Sequence, residues 1–340
     1  MCDRRVRVGI VGLGAVHWMH DSGYSEVADL AEVKAVCDTD ETLAKSRADY
    51  YGARAYTDYR DLVSDPEIDM VDVTVPHHLH SPVAMAALEH RKHVLVEKPI
   101  ALSSADGERM IRKAVEMGVK FTVAENTRFV PVYQEVARLL AESLLGEIWT
   151  VRTCIDASDV ARIKDPHAWA GRMPDGGAIM DCSVHSFYLL KWLFGGTEEI
   201  SATAFKIVPE GEAEDNAIMI GRLRNGAHLL AVVSSTTQIP PYREVLEIFG
   251  SKGGILVDLL RMPPAVHYAG DSVMEGTPLD VPHDPIAWKV MSMGEEVKSF
   301  VRDVAEDRTP LLDPVDALHA LKVVEAVYRS MQQGRPVTVT

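Results

Sequence analysis

The segment Leu95-Val96-Glu97-Lys98-Pro99-Ile100 predicts a buried β-strand that ends at a lysine-proline pair. Because proline lacks a backbone N–H and has a fixed φ, the strand is expected to stop before Pro99. Lys98 would then lie at the carboxyl end of a strand, where open α/β sheets bind their ligands, and Glu97 would face the opposite side. An isolated Glu-Lys-Pro is usually a surface strand end, so the surrounding sequence decides between a structural and a functional lysine.

Before this segment, short apolar strands alternate with helices. Strands are predicted at residues 6–11, 33–37, 68–75, 93–96 and 119–124. Helices are predicted from Ala15, at residues 41–51, from a Ser81-Pro82 cap, and from a capping box at Ser103 to about Gly118. Alternation at this spacing predicts an α/β domain with a doubly wound parallel sheet.

The alternation of strands and helices ends after Asn126, where longer strands follow one another directly. Asn225-Gly226 predicts a hairpin turn, and residues 251–254 join two further strands in the same way. Helices are predicted at about 181–194, 288–306 and 314–333, and residues 258–285 are predicted to be a long loop. We therefore expect an α+β carboxyl-terminal domain with a large, mostly antiparallel open sheet.

Composition narrows the class of protein. A hydrophobic fraction of 47% and a charged fraction of 25% are typical of a soluble globular protein, and 340 residues favour two domains. The net charge of −15 argues against nucleic acid or an anionic membrane as the main partner. No signal-peptide pattern or membrane-length apolar run is found, and the four scattered cysteines indicate reduced thiols; they are Cys2, Cys37, Cys154 and Cys182. A cytoplasmic enzyme or binding protein is expected.

The turn after the first strand has the pattern of a dinucleotide pyrophosphate site. Gly12-x-Gly14 allows a tight turn and close backbone approach, and the following helix would direct its amino terminus at the phosphates. His17 stands where the usual fingerprint has its third glycine. Asp38 ends the second strand, where an acid would accept hydrogen bonds from the ribose and repel a 2′-phosphate. The pattern predicts NAD in preference to NADP, although Asp38 could also be an ordinary loop or cap aspartate.

Two groups of residues could carry further chemistry. Residues 76–80, Pro-His-His-Leu-His, follow a strand, but no matching ligand spacing completes a metal site, so we expect imidazoles that are structural or line a cleft. Asp181 and His185 are four residues apart and would share one face of a helix. They could place a carboxylate and an imidazole against one substrate hydroxyl, or be an ordinary helix acid and a buried histidine. Cys182 and His185 lack the two further ligands that zinc requires, so no metal is predicted.

Together these motifs resemble the Gfo/Idh/MocA oxidoreductases, which include glucose–fructose oxidoreductase and inositol dehydrogenases. The resemblance covers essentially the whole chain: Gly-x-Gly, then Glu97-Lys98-Pro99, then Gly176-Gly177 and Asp181-x-x-x-His185, in this order and spacing. It implies a Rossmann domain at residues 1–126 and a substrate and oligomerisation domain at 127–340. The helix at about 314–333 is expected to be available to pack back on the first domain.

The resemblance also implies roles for individual residues. Lys98, Asp181 and His185 would surround the nicotinamide and the reacting hydroxyl. The expected cofactor-binding residues are Gly12, Gly14, Ala15, Val16, Asp38, Pro76, His77, His80, Glu97 and Lys98. The expected substrate-binding residues are Asn126, Arg128, Trp169, Arg172 and Tyr188. The chain departs from the family at His17, at His77 where asparagine is frequent, and at Tyr188 where aspartate is frequent, so no particular substrate is implied.

We expect an NAD-dependent oxidoreductase acting on a secondary alcohol of a sugar, inositol or related polyol. His185 would be the base, because imidazole titrates near neutral pH, Asp181 would orient the hydroxyl or tune the imidazole, and Lys98 would stabilise the developing negative charge. The alternatives are an NAD-dependent glycosidase that oxidises a sugar hydroxyl transiently and a nucleotide sensor without turnover. Because few helices are available to cover the apolar strands of the second domain, a homodimer or homotetramer built on that sheet is expected.

Overall fold

The computed structural model describes residues 5–166, 168–173, 175–237, 242–269, 276–285 and 287–340. The chain forms two compact units. The first contains residues 1–126 and 289–318, and the second contains residues 127–288 and 319–340. Among the described residues, no helix combines the length and the apolar character needed to cross a membrane.

The first unit is built on a six-stranded parallel sheet with the strand order β3-β2-β1-β4-β5-β6. Its strands are β1 Val6–Val11, β2 Ala31–Cys37, β3 Arg54–Tyr56, β4 Met70–Val73, β5 His93–Glu97 and β6 Phe121–Ala124. The helices between them are α1 His17–Glu26, α2 Glu41–Tyr51, α3 Tyr59–Ser64, α4 His77–Glu89 and α5 Ser104–Met117. The predicted doubly wound parallel sheet is therefore confirmed. The reversal of strand order beside β1 creates the crevice in which such sheets bind ligands.

Local signals explain several of these boundaries. Asp40 caps α2 by accepting hydrogen bonds from two backbone N–H groups, and Ser103 accepts one from Asp106 N at the start of α5. Gly118 ends α5 in the left-handed conformation, at φ +67°. The predicted start of α4 at Ser81-Pro82 was wrong, because the helix begins four residues earlier at His77 and contains Pro82. The side chain of His80 holds this first turn in place, as described below.

The second unit is built on a nine-stranded sheet with the strand order β14-β13-β12-β11-β7-β10-β9-β8-β15. Its strands are β7 Ile148–Ala157, β8 Thr197–Phe205, β9 Asn216–Leu223, β10 His228–Ser234, β11 Tyr242–Gly250, β12 Gly253–Asp258, β13 Ala265–Ala269, β14 Thr277–Pro278 and β15 Val337–Thr338. Both predicted hairpins, β9–β10 and β11–β12, are confirmed. The sheet is mixed, because β7 and β10 are parallel. The predicted long loop at 258–285 was partly wrong, since β13 and β14 lie within it.

The remaining helices are α6 Pro131–Ala141, α7 Val160–Lys164, α8 Val184–Phe194, α9 Trp288–Ala305 and α10 Pro314–Gln333. Almost all of α9 belongs to the first unit, where Val297, Phe300 and Val301 join the core formed around β1. Most of α10 belongs to the second unit, where Ser330 Oγ accepts a hydrogen bond from Ala202 N. α9 thus completes the core of the first unit, and residues 314–318 at the start of α10 belong to that unit as well.

The two faces of the nine-stranded sheet differ in exposure. Leu229, Val233, Leu246 and Ile248 are at most 3% exposed, whereas Ile218 and Ile220 of β9 are 45% and 57% exposed. Strand pairing places Leu230 and Val232 of β10 beside these two isoleucines on the same face. One face of the sheet is therefore covered in the second unit, and the other presents aliphatic side chains.

Candidate functional site

The turn after β1 has the geometry expected of a phosphate-binding turn. Gly12 has φ +92°, and a Cβ there would lie 2.6 Å from Thr74 O, so only glycine fits. A Cβ on Gly14 would meet no atom within 4 Å, which leaves the outer side of the turn open. No side chain of the described residues caps the amino terminus of α1, which begins after Val16. The free N–H groups of such a helix end are suited to a phosphate.

His17 does not block this turn, because its side chain points into the protein. The residue is fully buried, and its Nε2 lies 3.2 Å from the hydroxyl oxygen of Tyr51. The Tyr51 hydroxyl donates in turn to Asp21 Oδ1 at 2.7 Å, so its oxygen can accept from His17. Burial lowers the pKa of His17 to about 4, so the ring is neutral at pH 7. The side chain of His17, which stands at the position of the third glycine, therefore leaves the outer side of the turn open.

Asp38 lies at the carboxyl end of β2, beside the turn. Its Oδ2 accepts a hydrogen bond from Leu13 N at 2.9 Å, and its Oδ1 accepts one from Asp40 N at 3.0 Å. The carboxylate therefore supports the turn itself, a contact that the sequence did not predict. It remains partly exposed, so its carboxyl group is accessible at this edge of the sheet.

The residues after β4 divide into exposed and buried positions. Pro76 precedes α4, His78 is exposed, and His77 is 4% exposed with its ring 5.4 Å from that of His80. The ring of His80 is fully buried, with Nδ1 2.7 Å from Pro99 O and Nε2 2.9 Å from Val75 O. Burial lowers the pKa of His80, and the contacts with the carbonyl oxygens of Pro99 and Val75 oppose this shift. His80 thus ties α4 to the segment that follows Lys98.

β5 ends at Glu97 and Lys98 follows it directly, so the strand stops before Pro99 as the sequence predicted. Glu97 is only 6% exposed, and its Oε2 accepts a hydrogen bond from the backbone N–H of Lys98 at 3.0 Å. Its Oε1 lies 3.0 Å from Nε2 of His20 on α1. The carboxylate of Glu97, predicted to bind the cofactor, therefore has both oxygens engaged inside the first unit, while Lys98 itself is partly exposed.

His20 is at the centre of a buried group that the sequence analysis missed, here called the His20 cluster: His20, Asp72, Glu97 and Glu296. Nδ1 of His20 lies 3.0 Å from Asp72 Oδ2, and Nε2 also lies 3.5 Å from Glu296 Oε1. Each of the four is at most 6% exposed. The available signal was Asp72, a charged residue within an apolar strand, because a buried carboxylate requires a partner.

Among the described histidines, cysteines and acids, His20, Glu97 and Glu296 are the only group whose ligand atoms lie close enough to hold a metal ion. Both nitrogens of His20, however, are at hydrogen-bond distance from carboxylate oxygens. Burial would lower the pKa of His20, but the charge and hydrogen bond of Asp72 and the hydrogen bonds of Glu296 and Glu97 raise it well above 6.5. Nε2 of His20, the atom that would face such an ion, thus has the carboxyl groups of Glu97 and Glu296 as its neighbours.

In the second unit, Asp181 and His185 lie where a π-helical turn meets an α-helix. Residues Ile179–Ser183 form the π-helical turn, and α8 begins directly after it. Four residues correspond to nearly one turn of either helix type, so the two side chains share one face. Asp181 is partly exposed, and His185 is 7% exposed. Single π-helical turns are frequent at functional sites, which agrees with a role for this pair.

Glu214 supports this turn from the loop before β9. Its Oε1 accepts hydrogen bonds from Ile179 N at 3.0 Å and from the Tyr328 hydroxyl at 3.1 Å. Gly177 has φ +106°, and a Cβ there would lie 2.5 Å from Glu214 Oε1, so glycine is required. Asp181 lines a cavity of about 10 Å³ together with Glu214, enough for one water molecule. The Gly176-Gly177 pair thus allows the close approach of a carboxylate that fixes the start of the helix.

The predicted substrate-binding residues are found in different settings. In the first unit, Asn126 is buried and donates to Ser292 Oγ at 2.8 Å. In the second unit, the Arg128 guanidinium lies 4.3 Å from the ring centroid of Trp192, and the Arg162 guanidinium lies 5.0 Å from that of Trp169. Arg172 is exposed, and Tyr188 is 2% exposed. Arg162, which the sequence analysis did not select, also lies 4.0 Å from Asp181 Oδ2.

Comparison with known proteins agrees with both halves of the fold. Residues 6–125 match the family described as "Oxidoreductase family, NAD-binding Rossmann fold", and residues 133–256 match the "GFO/IDH/MocA C-terminal domain". The chain belongs to this family. The resemblance inferred from the sequence motifs is therefore confirmed.

Named members of the Gfo/Idh/MocA family are similar over most of the chain. A myo-inositol 2-dehydrogenase from Thermotoga maritima is 27% identical over 98% of this chain and 98% of its own length. A levoglucosan dehydrogenase from Pseudarthrobacter phenanthrenivorans is 26% identical over 66% of this chain and 60% of its own length. The solved structure of the WlbA dehydrogenase from Bordetella pertussis, in complex with NADH and UDP-GlcNAcA, has a TM-score of 0.84 and 25% identity, with 99% of each chain covered.

Membership in the Gfo/Idh/MocA family makes the chain an NAD-binding oxidoreductase by class. The features described above that fit this class are the open turn after β1, the acid at the end of β2, and the lysine at the end of β5.

Proposed function

We propose that this protein is an NAD-dependent dehydrogenase that oxidises a secondary alcohol of a sugar, inositol or related polyol. The observation that carries the proposal is the arrangement around β5, where Lys98 stands at the carboxyl edge of the parallel sheet. The buried side chains of Glu97 and His80 fix the backbone on either side of it. An ordinary surface lysine requires no such support. The polyol class is supported by the relatives named as inositol and levoglucosan dehydrogenases.

The residues of the first unit fit a dinucleotide. The uncapped amino terminus of α1 and the open side of Gly14 would hold the pyrophosphate, and Asp38 would accept hydrogen bonds from the ribose hydroxyls. A carboxylate at this position repels a 2′-phosphate, which is why we propose NAD in preference to NADP. When it is bound, the nicotinamide supplies the hydride acceptor.

Residues of the chain would then accept the proton of the substrate hydroxyl and stabilise the negative charge that develops. We assign His185 as the base that accepts the hydroxyl proton, and Lys98 as the residue that stabilises the negative charge developing during the reaction. Asp181, on the same helix face as His185, would orient the hydroxyl or the imidazole. Glu214 and Gly177 hold the turn that carries this pair.

The exposed sheet face supports a proposal for assembly. Ile218 and Ile220 are about half exposed on β9, the third strand from one edge of the nine-stranded sheet, with Leu230 and Val232 beside them. A contiguous aliphatic patch of this kind is typical of an interface. We propose a homodimer or homotetramer in which this face of one subunit packs on the same face of another.

A cytoplasmic location is part of the proposal. Cys37, Cys154 and Cys182 are not in disulfide bonds. Burial raises the pKa of the Cys37 and Cys154 thiols to about 12, so both stay protonated and unreactive at neutral pH. Such thiols suit a reducing compartment.

The function is tested by incubating the purified protein with NAD and a panel of inositols, aldoses, anhydrosugars and sugar acids, and by following NADH absorbance. A dehydrogenase accumulates NADH together with one oxidised product. Release of an aglycone from a glycoside without net NADH would support the glycosidase instead. If no panel member reacts although NAD binds with micromolar affinity, the polyol assignment is wrong.

A further inference from the structure

One member of the His20 cluster, Glu97, directly precedes Lys98 in the sequence and accepts a hydrogen bond from its backbone N–H. The four residues come from four separate elements: His20 from α1, Asp72 from β4, Glu97 from β5 and Glu296 from α9. All lie within the first unit and are buried. Asp72 Oδ2 also accepts a hydrogen bond from the Tyr24 hydroxyl at 2.8 Å. A buried group of this kind is costly unless it is well paired, so its presence beside a candidate catalytic residue requires an explanation.

The charges of the cluster are arranged around one imidazole. Asp72 contacts Nδ1, while Glu97 and Glu296 contact Nε2. Burial raises the pKa of Glu296 to about 8, so this side chain is neutral at pH 7, and its Oε2 has no hydrogen-bond partner among the described residues. The centre is thus one buried imidazole whose two nitrogens face the carboxyl groups of Asp72, Glu97 and Glu296.

Glu97 connects this centre to Lys98, because its two oxygens have different partners. Oε1 accepts from His20, and Oε2 accepts from the backbone N–H of Lys98. A carboxylate held at one oxygen by a charged donor has a fixed orientation at the other. Without His20, Glu97 would be a buried carboxylate without its charged partner, and it would turn toward other donors or water.

We propose that His20 is a positioning residue for Lys98, acting through Glu97. His20 fixes the rotamer of Glu97, Glu97 fixes the Lys98 peptide N–H, and His80 fixes the Pro99 carbonyl on the other side. The backbone of Lys98 is therefore held on both sides. The side chain that carries the ammonium group then extends from a Cα atom whose position is fixed. This inference rests on the proposed function, in which Lys98 stabilises the developing negative charge.

The test is a double-mutant cycle with His20→Gln and Lys98→Met, measured by steady-state kinetics and by NAD titration. We expect His20→Gln to lower kcat at least tenfold, while the Kd for NAD stays within about twofold. If His20 acts only through Lys98, then adding His20→Gln to Lys98→Met lowers kcat no further, since residues that act as a unit are non-additive. Additive losses in the double variant would overturn the proposal.

His319→Gln is the matched control, because His319 is also a buried histidine, 7% exposed, but belongs to the second unit. It should lose stability and keep kcat within twofold. Glu97→Gln is a second variant in case His20→Gln does not fold. It keeps the length of the side chain but loses the charge that pairs with His20, and it should lower kcat with the same non-additivity toward Lys98→Met.

The outcomes separate the two proposals. A wild-type kcat in Lys98→Met would refute the catalytic role of Lys98. It would also refute the proposal that the reaction takes place at the carboxyl edge of the parallel sheet. A large loss in Lys98→Met combined with wild-type kcat in both His20→Gln and Glu97→Gln refutes only the positioning role.

Discussion

Asp38 and Leu13 are joined by a hydrogen bond of 2.9 Å, from the backbone N–H of the phosphate turn to the carboxylate at the end of β2. A residue expected to contact the cofactor thus also stabilises the turn in which the cofactor's phosphates would lie. Cofactor choice and turn geometry are coupled through one side chain, and two substitutions can separate them.

Asp38→Asn should shift the ratio of NAD to NADP affinity toward NADP by about tenfold, or ~1.4 kcal/mol, because the charge that repels a 2′-phosphate is lost. The amide oxygen can still accept from Leu13 N. Asp38→Ala should shift the ratio similarly and also weaken NAD binding, since the turn loses its support. Both are measured by titration with NADH and NADPH. Asp40→Ala is the control, because this nearby acid caps α2 and does not contact the turn. Tighter binding of NADPH than NADH by the wild type would contradict the assignment.

Lys98→Met and His185→Ala should each lower kcat by roughly 10²–10⁴-fold, the usual contribution of one acid–base group. The Kd for NAD should change far less, because neither residue belongs to the phosphate turn. Lys92→Met is a matched control, since Lys92 is a buried lysine whose ammonium donates to the carbonyls of Asp65 and Ile68. It should reduce the free energy of unfolding and leave kcat near the wild-type value. A variant at Lys98 or His185 with near-normal kcat would remove that residue from the mechanism.

Ile220→Glu should dissociate the assembly, because it places a charge in the aliphatic patch of the open sheet face. The mass measured by light scattering at micromolar concentration should fall from a multiple of 37.4 kDa to that of one chain. Val115→Glu is the control, since Val115 is 79% exposed on α5, a helix of the first unit that is not part of this sheet. A monomeric wild type, or an Ile220→Glu variant with unchanged mass, would rule out this interface.

Between pH 6.5 and 4, the free energy of unfolding should depend on the protonation of the buried His319. Burial lowers the pKa of His319 from 6.5 to about 4, and its Nε2 accepts a hydrogen bond from Thr197 N at 3.0 Å. In this range the unfolded chain binds the proton and the folded chain does not, so acid favours unfolding. One such group contributes a slope of about 1.4 kcal/mol per pH unit.

His319→Gln tests this contribution, because the Gln oxygen can accept from Thr197 N without titrating. Denaturant unfolding at several pH values should show a shallower loss of stability in the variant than in the wild type. Comparing the two chains removes the effects of other titrating groups, such as Glu296 with its opposite sign. Parallel curves would show that His319 is protonated in the folded state.

The parallel sheet was predictable because its longer strands are short, mostly apolar segments between turn signals. β3 and α3 were missed because three- and six-residue elements carry too little periodicity. β13 and β14 were missed because their strands lie in a segment rich in Pro, Gly and Asp. Pro82 misled the prediction of α4, since a proline near a serine is typical of a helix start, whereas the first turn here is held by the ring of His80.

The residues of the candidate site differ in how far they could be predicted, because some belong to short sequence motifs and others meet only in the folded chain. Gly12, Asp38, Lys98 and the spacing of Asp181 and His185 could be selected from motifs that are local in sequence. The His20 cluster could not, because it joins residues up to 276 positions apart, and only the fold shows that they meet. The support that Glu214 gives to Gly177 and Ile179 was hidden for the same reason.

The first unit is interrupted in sequence, and this affects how the protein can be made. Val297, Phe300 and Val301 of α9 belong to the same core as Val8 and Ile10. During synthesis, residues 127–288 must emerge before this core can close, a delay on the order of ten seconds at the usual elongation rate. A fragment ending at residue 126 would expose the apolar surface that α9 covers and would lack Glu296 of the His20 cluster. The nucleotide-binding unit therefore cannot be produced intact by truncating the chain at a single position.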